Sequence, residues 1–210
     1  MKYDYLIIGA GIVGAALAAE IVKRRPQARV LVAEKEAAPA FHQTGRNSGV
    51  VHSGVYYTPG SLKTRFCREG LSEIKAFCAA RQIGYEARGK LLVATTPQEQ
   101  ENLYKLEQRA IENEVHTEQL TQADLGRLEP AITGLAALRI PETAITDYAG
   151  ITKALLADVE NAGSTVLFNA PVTSITQVGS AYRVQAGNQQ VEAGHIIACT
   201  GLASDRVARM

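Results

Sequence analysis

The run Tyr3-Asp4-Tyr5-Leu6-Ile7-Ile8-Gly9-Ala10-Gly11-Ile12-Val13-Gly14 decides how the amino-terminal part of this chain folds. A short apolar stretch that ends abruptly in glycine reads as a buried strand. Small and apolar residues over 12–25 suit a helix that Pro26 stops. Residues 29–34, apolar at Val30, Leu31, Val32 and Ala33, form a second strand, so the segment is one βαβ unit. The glycines stand at G-x-G-x-x-G spacing between strand and helix, the context that lifts the motif above chance. Gly9 permits the tight turn, Gly11 leaves room for a pyrophosphate, and Gly14 lets helix and strand pack closely. The helix N-terminus, at Ile12 and Val13, adds unpaired N–H groups and a partial positive charge. Twenty residues after Gly14, Glu34 puts a carboxylate where it accepts hydrogen bonds from ribose hydroxyls and repels a 2′-phosphate; Lys35 follows it in the cofactor set. The spacing predicts a dinucleotide site and leaves open which dinucleotide.

Downstream, residues 42–60 are rich in Gly, Ser, Thr and Asn, which predicts a loop, and Ser61 opens a helix whose face carries Leu62, Phe66, Ile74 and Phe77. Residues 89–95 read as a strand. Thr96, Pro97 and Glu99 form a capping box that starts a helix running to about Asn113, with Leu103, Leu106, Ala110 and Ile111 on one face. A short helix over 121–128 ends before Pro130. Residues 151–162 are helical with Leu155, Leu156 and Val159 inward. Strands follow over 165–168, 172–176, 181–185 and 195–200, joined by turns at Gly179-Ser180 and Gly187-Asn188. The order α/β, mixed insertion, α/β predicts a nucleotide domain interrupted by part of a second domain.

With 210 residues, 46% hydrophobic and 20% charged, the chain has the profile of an ordinary globular protein and the length for one large core or two small ones. A net charge of +1 with no basic run excludes a phosphate-backbone tracker, so nucleic acid is not an expected partner. Cys67, Cys78 and Cys199 are odd in number and widely spaced, forming neither a disulfide framework nor a zinc signature; no metal is expected, and a reducing cytoplasm is the simplest setting. The apolar stretch at 6–19 is shorter than the roughly 20 residues that span a bilayer and carries glycines.

The segment Thr44-Gly45-Arg46-Asn47-Ser48-Gly49-Val50-Val51-His52-Ser53-Gly54-Val55-Tyr56-Tyr57, followed by Pro59-Gly60-Ser61-Leu62-Lys63, resembles the flavin-contacting loop of the L-2-hydroxyglutarate oxidase/dehydrogenase branch of the D-amino-acid-oxidase-like flavoproteins. Thr44, Arg46, Asn47 and Ser48 offer donors for pyrophosphate and ribityl oxygens, and the glycines let backbone approach a flat ring. Residues 89–94, Leu128-Glu129-Pro130 and residues 144–148 look like the substrate-domain strand and domain re-entry of the same group. The stretch around Val172 is similar to the strand on the adenine side of FAD, and Thr200-Gly201, with Ser204-Asp205 after it, resembles the third flavin motif.

The resemblance implies an α/β fold: a Rossmann-type FAD-binding domain (1–88 and 147–210) with part of a second, mixed β-sheet substrate domain (89–146) inserted. It implies FAD as cofactor, a small dicarboxylate as substrate, and oxidation of L-2-hydroxyglutarate to 2-oxoglutarate by hydride transfer. Another small acid or amine, such as glycerol 3-phosphate or an amino acid, and a non-catalytic nucleotide-binding fragment stay open. His52 is the candidate base, because an imidazole titrates near neutrality, with a role in fixing the loop or flavin as the alternative. Tyr56 can line the ring or bind a carboxylate. Lys63, with Arg65 and Arg68 behind it, can meet a substrate carboxylate or stay solvated. The family passes electrons to oxygen or a membrane quinone, so peripheral contact with an inner membrane is expected. Its chains are roughly twice this length, so an amino-terminal portion is expected here.

Overall fold

The computed structural model describes residues 2–210, which divide into two compact units: residues 2–47 with Asp147–Met210, and Ser48–Thr146. The first unit opens with β1 (Lys2–Ile8), α1 (Ile12–Arg24) and β2 (Val30–Ala33). The second holds β3 (Val50–Val51), α2 (Leu62–Arg81), β4 (Tyr85–Glu86), β5 (Lys90–Ala94), α3 (Pro97–Glu112), β6 (Glu118–Thr121), α4 (Gln122–Leu128), β7 (Ala136–Ile140) and β8 (Ala144–Thr146). The chain then returns to the first unit with α5 (Tyr148–Asn161), β9 (Thr165–Leu167), β10 (Val172–Val178), β11 (Ala181–Ala186), β12 (Gln189–Ala198) and α6 (Ser204–Val207).

In the first unit one six-stranded sheet runs β10-β11-β12-β1-β2-β9. The four strands from β12 to β9 are parallel, and the β10–β11–β12 ladder is antiparallel. Side chains alternate across the sheet. Ile7, Val30 and Val32 face one side, where Ala15, Ala18, Leu156 and Val159 of α1 and α5 cover them. Leu6, Ile8 and Leu31 face the other, against Val184 and Val191. Fully burying side chains such as Leu6, Ile7 and Leu31 stabilises by about 1.5–3 kcal/mol each. The alanines of α1 and Gly14 let that helix lie close on the strands: a Cβ at Gly14 would stand 2.0 Å from the Gly9 carbonyl oxygen.

β12 begins well before the expected residue 195. The Gly187 turn lets Gln189–Ala193 pair antiparallel with β11, and Val191 and Ala193 enter the core while Gln190 and Glu192 do not. The strand's parallel half then pairs with β1, as Ile8↔Ala198. Alternating polar residues on a half-buried strand carry too little apolar signal to be read ahead of their partner.

The second unit contains two three-stranded sheets, β3-β8-β4 and β5-β7-β6. Its first boundary falls at Asn47/Ser48, not at the expected 88/89, because the loop and α2 fold with the later segment. Val50 pairs with Ile145 in an antiparallel ladder, Cys78 Sγ lies 3.3 Å from Thr146 Oγ1, and the Arg68 guanidinium pairs with the Glu142 carboxylate. Strands β6 and β7 were not anticipated; Glu118-Gln119-Leu120-Thr121 becomes a strand through its partner β7. The caps came out as their residues predict: Ser61 accepts from the Thr64 N–H, and Thr96 with Glu99 closes a capping box. The expected face of α2 needs correction: Leu62 is 63% and Phe66 58% exposed, and Thr64 and Cys78 are the buried residues. On α3 the expected face holds at Ala110, which is buried, and at Leu106, which packs beside it, while Ile111 is exposed. Among the described residues no helix is long and apolar enough to cross a membrane.

Candidate functional site

At the carboxyl ends of β1, β2 and β12 the first unit opens a cavity of about 850 Å³. Gly9 turns the chain there with φ +107°, and a Cβ on it would stand 2.5 Å from the Cys199 carbonyl oxygen, so only glycine fits. Gly11 precedes α1 in ordinary extended geometry, and its added Cβ would meet only Thr44 Oγ1, at 3.2 Å. That hydroxyl accepts the Ile12 N–H at 3.0 Å, which ties the 42–47 loop to the start of the helix. Gly9, Gly11, Ile12, Val13, Thr44 and Asn47 line the cavity; Gly14 lies beneath, in the helix–strand contact.

Glu34 is 8% exposed and holds the glycine turn in place. One carboxylate oxygen accepts the Ala10 N–H at 2.7 Å and the other the Glu36 N–H at 3.0 Å. Each oxygen keeps a lone pair, so the carboxylate retains capacity to accept ribose hydroxyls from the cavity it lines. Lys35 also lines the cavity, with Nζ bonded to the Glu36 carboxylate and 2.9 Å from His42 Nε2. These hydrogen bonds from Lys35 and then His42 hold the Glu36 carboxyl below the usual carboxylate range. Val172, Thr200 and Gly201 also line the cavity, as does Cys199, whose thiol is pushed up by burial.

The loop donors behave differently from one another. Asn47 Nδ2 donates to the carbonyls of Gln43 and Thr44, at 3.0 and 2.8 Å, and so caps a single turn of 3-10 helix. Arg46 stacks 4.9 Å over the Phe41 ring and does not line the cavity. Ser48 is the first residue of the second unit. Phe41, His42 and Arg206 line the cavity without having been singled out, since they reach it from a loop and a terminal helix that no spacing rule connects.

Within the second unit, His52, Tyr56, Tyr57, Lys90 and Thr143 wall a small cleft. The carrying loop is held from several sides. Asn113 Nδ2 donates to the Tyr57 and Gly54 carbonyls at 2.8 and 3.2 Å, Cys67 Sγ to that of His52 at 3.2 Å, and Val55 is buried against Ala110 and Ile140. Burial raises the Cys67 thiol. Lys63 does not wall the cleft; its ammonium sits 4.5 Å over the Tyr57 ring. Arg65 pairs with Glu69, and Arg68 is occupied by Glu142 and the Glu114 carbonyl. The cation that reaches the cleft is Lys90, which sequence reasoning took as part of a strand only; its strand register against Ile140 sets it there.

The chain is 41% identical over 210 residues to L-2-hydroxyglutarate dehydrogenase of Escherichia coli (strain K12), covering 99% of this chain and 50% of that one. It is 35% identical to the mitochondrial L-2-hydroxyglutarate dehydrogenase of Homo sapiens, covering 100% of this chain and 48% of the relative. It therefore spans about half the length of the curated relatives it matches. Among solved structures, FAD-bound L-alpha-glycerophosphate oxidase from Mycoplasma pneumoniae superposes with a TM-score of 0.90 at 26% identity, over 100% of this chain and 56% of that one. Glycine oxidase from Geobacillus kaustophilus shares the fold, with a TM-score of 0.88 at 21% identity over 99% and 58%. The model of the family described as FAD dependent oxidoreductase matches residues 4–210, and with a glycine turn and a buried carboxylate lining a nucleotide-sized cavity, the chain belongs to that family, whose cofactor is FAD.

Proposed function

We propose that the protein carrying this chain oxidises L-2-hydroxyglutarate to 2-oxoglutarate. What supports the substrate is the 41% identity to a protein of that activity along the whole of this chain. FAD, when bound, supplies the acceptor for the hydride. The turn at Gly9 and Gly11 and the start of α1 receive its pyrophosphate, and Glu34 accepts from its ribose. Thr44 and Asn47 order the loop above them. Ile12, Val13, Lys35, Val172, Thr200 and Gly201 complete the cofactor set. His52 takes the proton of the substrate hydroxyl as hydride leaves the neighbouring carbon, and Tyr56, which walls the same cleft, serves the substrate side. The electrons pass on to oxygen or to a membrane quinone, the latter by peripheral contact with the membrane.

Anaerobic addition of L-2-hydroxyglutarate should bleach the flavin colour of the purified holoprotein, and glycerol 3-phosphate and glycine should not. Bleaching by either of those instead removes the substrate assignment. Replacing His52 with Gln should lower the rate of flavin reduction by about 10²- to 10⁴-fold with colour retained; an unchanged rate would leave His52 a loop-fixing role only.

A further inference from the structure

The cleft of the second unit has a chemistry of its own. Every polar side chain that walls it can donate, and its one formal charge is the Lys90 ammonium. Lys90 Nζ donates to Tyr56 Oη at 2.7 Å and lies 4.3 Å from the ring centroid; among the described residues it has no carboxylate partner. Because Tyr56 Oη accepts that bond, its own proton is free to point outward. Thr143 is only 5% exposed, and its Oγ1 is buried with no hydrogen-bond partner among the described residues. An orphaned buried hydroxyl is costly in a folded protein unless a ligand or water completes it. The cleft has a volume of about 10 Å³, room for one oxygen-sized atom. A cation beside hydroxyl and imidazole donors suits an anionic oxygen, and the single ammonium matches the single charge of a carboxylate.

We infer that Lys90, Tyr56 and Thr143 form a carboxylate subsite, and that it takes the carboxylate bonded to the reacting carbon of a 2-hydroxy acid. The assignment to that carboxylate rests on the reading of His52 above: His52 walls the same cleft, and in a 2-hydroxy acid the hydroxyl it deprotonates is one carbon away from C1. Lys90 and Thr143 are then substrate-binding residues. Loop and strand arrive pre-ordered, since Asn113 and Arg109 bond the Tyr57 and Tyr56 carbonyls at 2.8 and 3.4 Å and Lys90 is locked by the β5–β7 ladder.

The test compares the FAD-loaded protein with its Lys90→Met, Lys90→Arg and Thr143→Val variants. Binding of glutarate, which carries no oxidisable hydroxyl, is measured by calorimetry. Anaerobic flavin reduction is measured with L-2-hydroxyglutarate and with L-2-hydroxypentanoate, which keeps C1 and lacks the distal carboxylate. Lys90→Met should raise the glutarate dissociation constant about tenfold to a hundredfold and weaken both hydroxy acids alike, with the limiting reduction rate changed far less. Lys90→Arg should restore part of the loss. Thr143→Val should fold normally and weaken binding about threefold to tenfold. Equal affinity in wild type and Lys90→Met overturns the subsite, as does unchanged affinity in Thr143→Val, which leaves Thr143 as the partner of a buried water only. A loss confined to the dicarboxylate overturns the assignment to C1. If glutarate binding depends on Lys90 but L-2-hydroxyglutarate never bleaches the flavin, the proposed function fails and the subsite stands. Bleaching that is indifferent to Lys90 gives the reverse.

Discussion

The nucleotide cavity of the first unit and the cleft of the second are made of different material. Around Gly9–Gly14 the cavity is framed by main-chain features, a turn, a helix start and strand ends, with Glu34 bonded to main-chain N–H groups at 2.7 and 3.0 Å. Around His52 and Lys90 the walls are side chains from a loop, a strand and the turn before β8. A site built from backbone is intolerant of added atoms and indifferent to many lost ones; a site built from side chains is the reverse. Substitutions that add or remove atoms therefore separate the two.

The largest effect belongs to Gly14→Val. Its Cβ would fall 2.0 Å from the Gly9 carbonyl oxygen, so α1 must lift from the sheet, at a cost of about 3 kcal/mol or more. Thermal unfolding should move down by roughly 10 °C and the purified protein should lack flavin. Unaltered melting would break the claim that backbone packing makes the cavity.

Gly11→Val sharpens the contrast, since the added atoms meet only the Thr44 hydroxyl and the backbone there is ordinary for any residue. Stability should change by less than about 1 kcal/mol while flavin uptake is lost, because the side chain takes the pyrophosphate's place. Normal colour in this variant would count against the placement of the cofactor. Glu34→Gln should be milder. It swaps one of two acceptors for a donor facing a backbone N–H, and the flavin dissociation constant should rise about tenfold, read by fluorescence titration.

The smallest effect concerns the thiols. Burial raises both Cys67 and Cys199, so at pH 8 each carries less thiolate than an open cysteine, and iodoacetamide should label both slowly, faster as pH climbs. Added FAD should slow Cys199 further, because it lines the nucleotide cavity, and leave the rate at Cys67 unchanged. Equal protection of both cysteines by FAD would blur the distinction between the two sites.

The same difference in material explains what could be read ahead of the structure. Gly9, Gly11, Gly14 and Glu34 act through local geometry, so their meaning lies in spacing along one βαβ segment. Capping at Ser61, Thr96 and Thr121 is local in the same sense, and each cap formed as its residues predict or alongside its expected helix. The boundary at Asn47/Ser48 was not legible, because contacts between residues far apart in the chain, such as Val50 with Ile145 and Arg68 with Glu142, gather the loop and α2 into the second unit.

By itself the amino-acid sequence determined the central strand–turn–helix, the acid that closes it and the family likeness, since each rests on residues close in the chain whose conformational preferences need no distant partner. Tertiary structure alone decided that Lys90 rather than Lys63 walls the His52 cleft, and that Thr143, whose buried hydroxyl has no hydrogen-bond partner among the described residues, lines it too. The reason is physical: strand register and loop anchoring across dozens of residues set which side chains converge, and no local preference encodes that convergence.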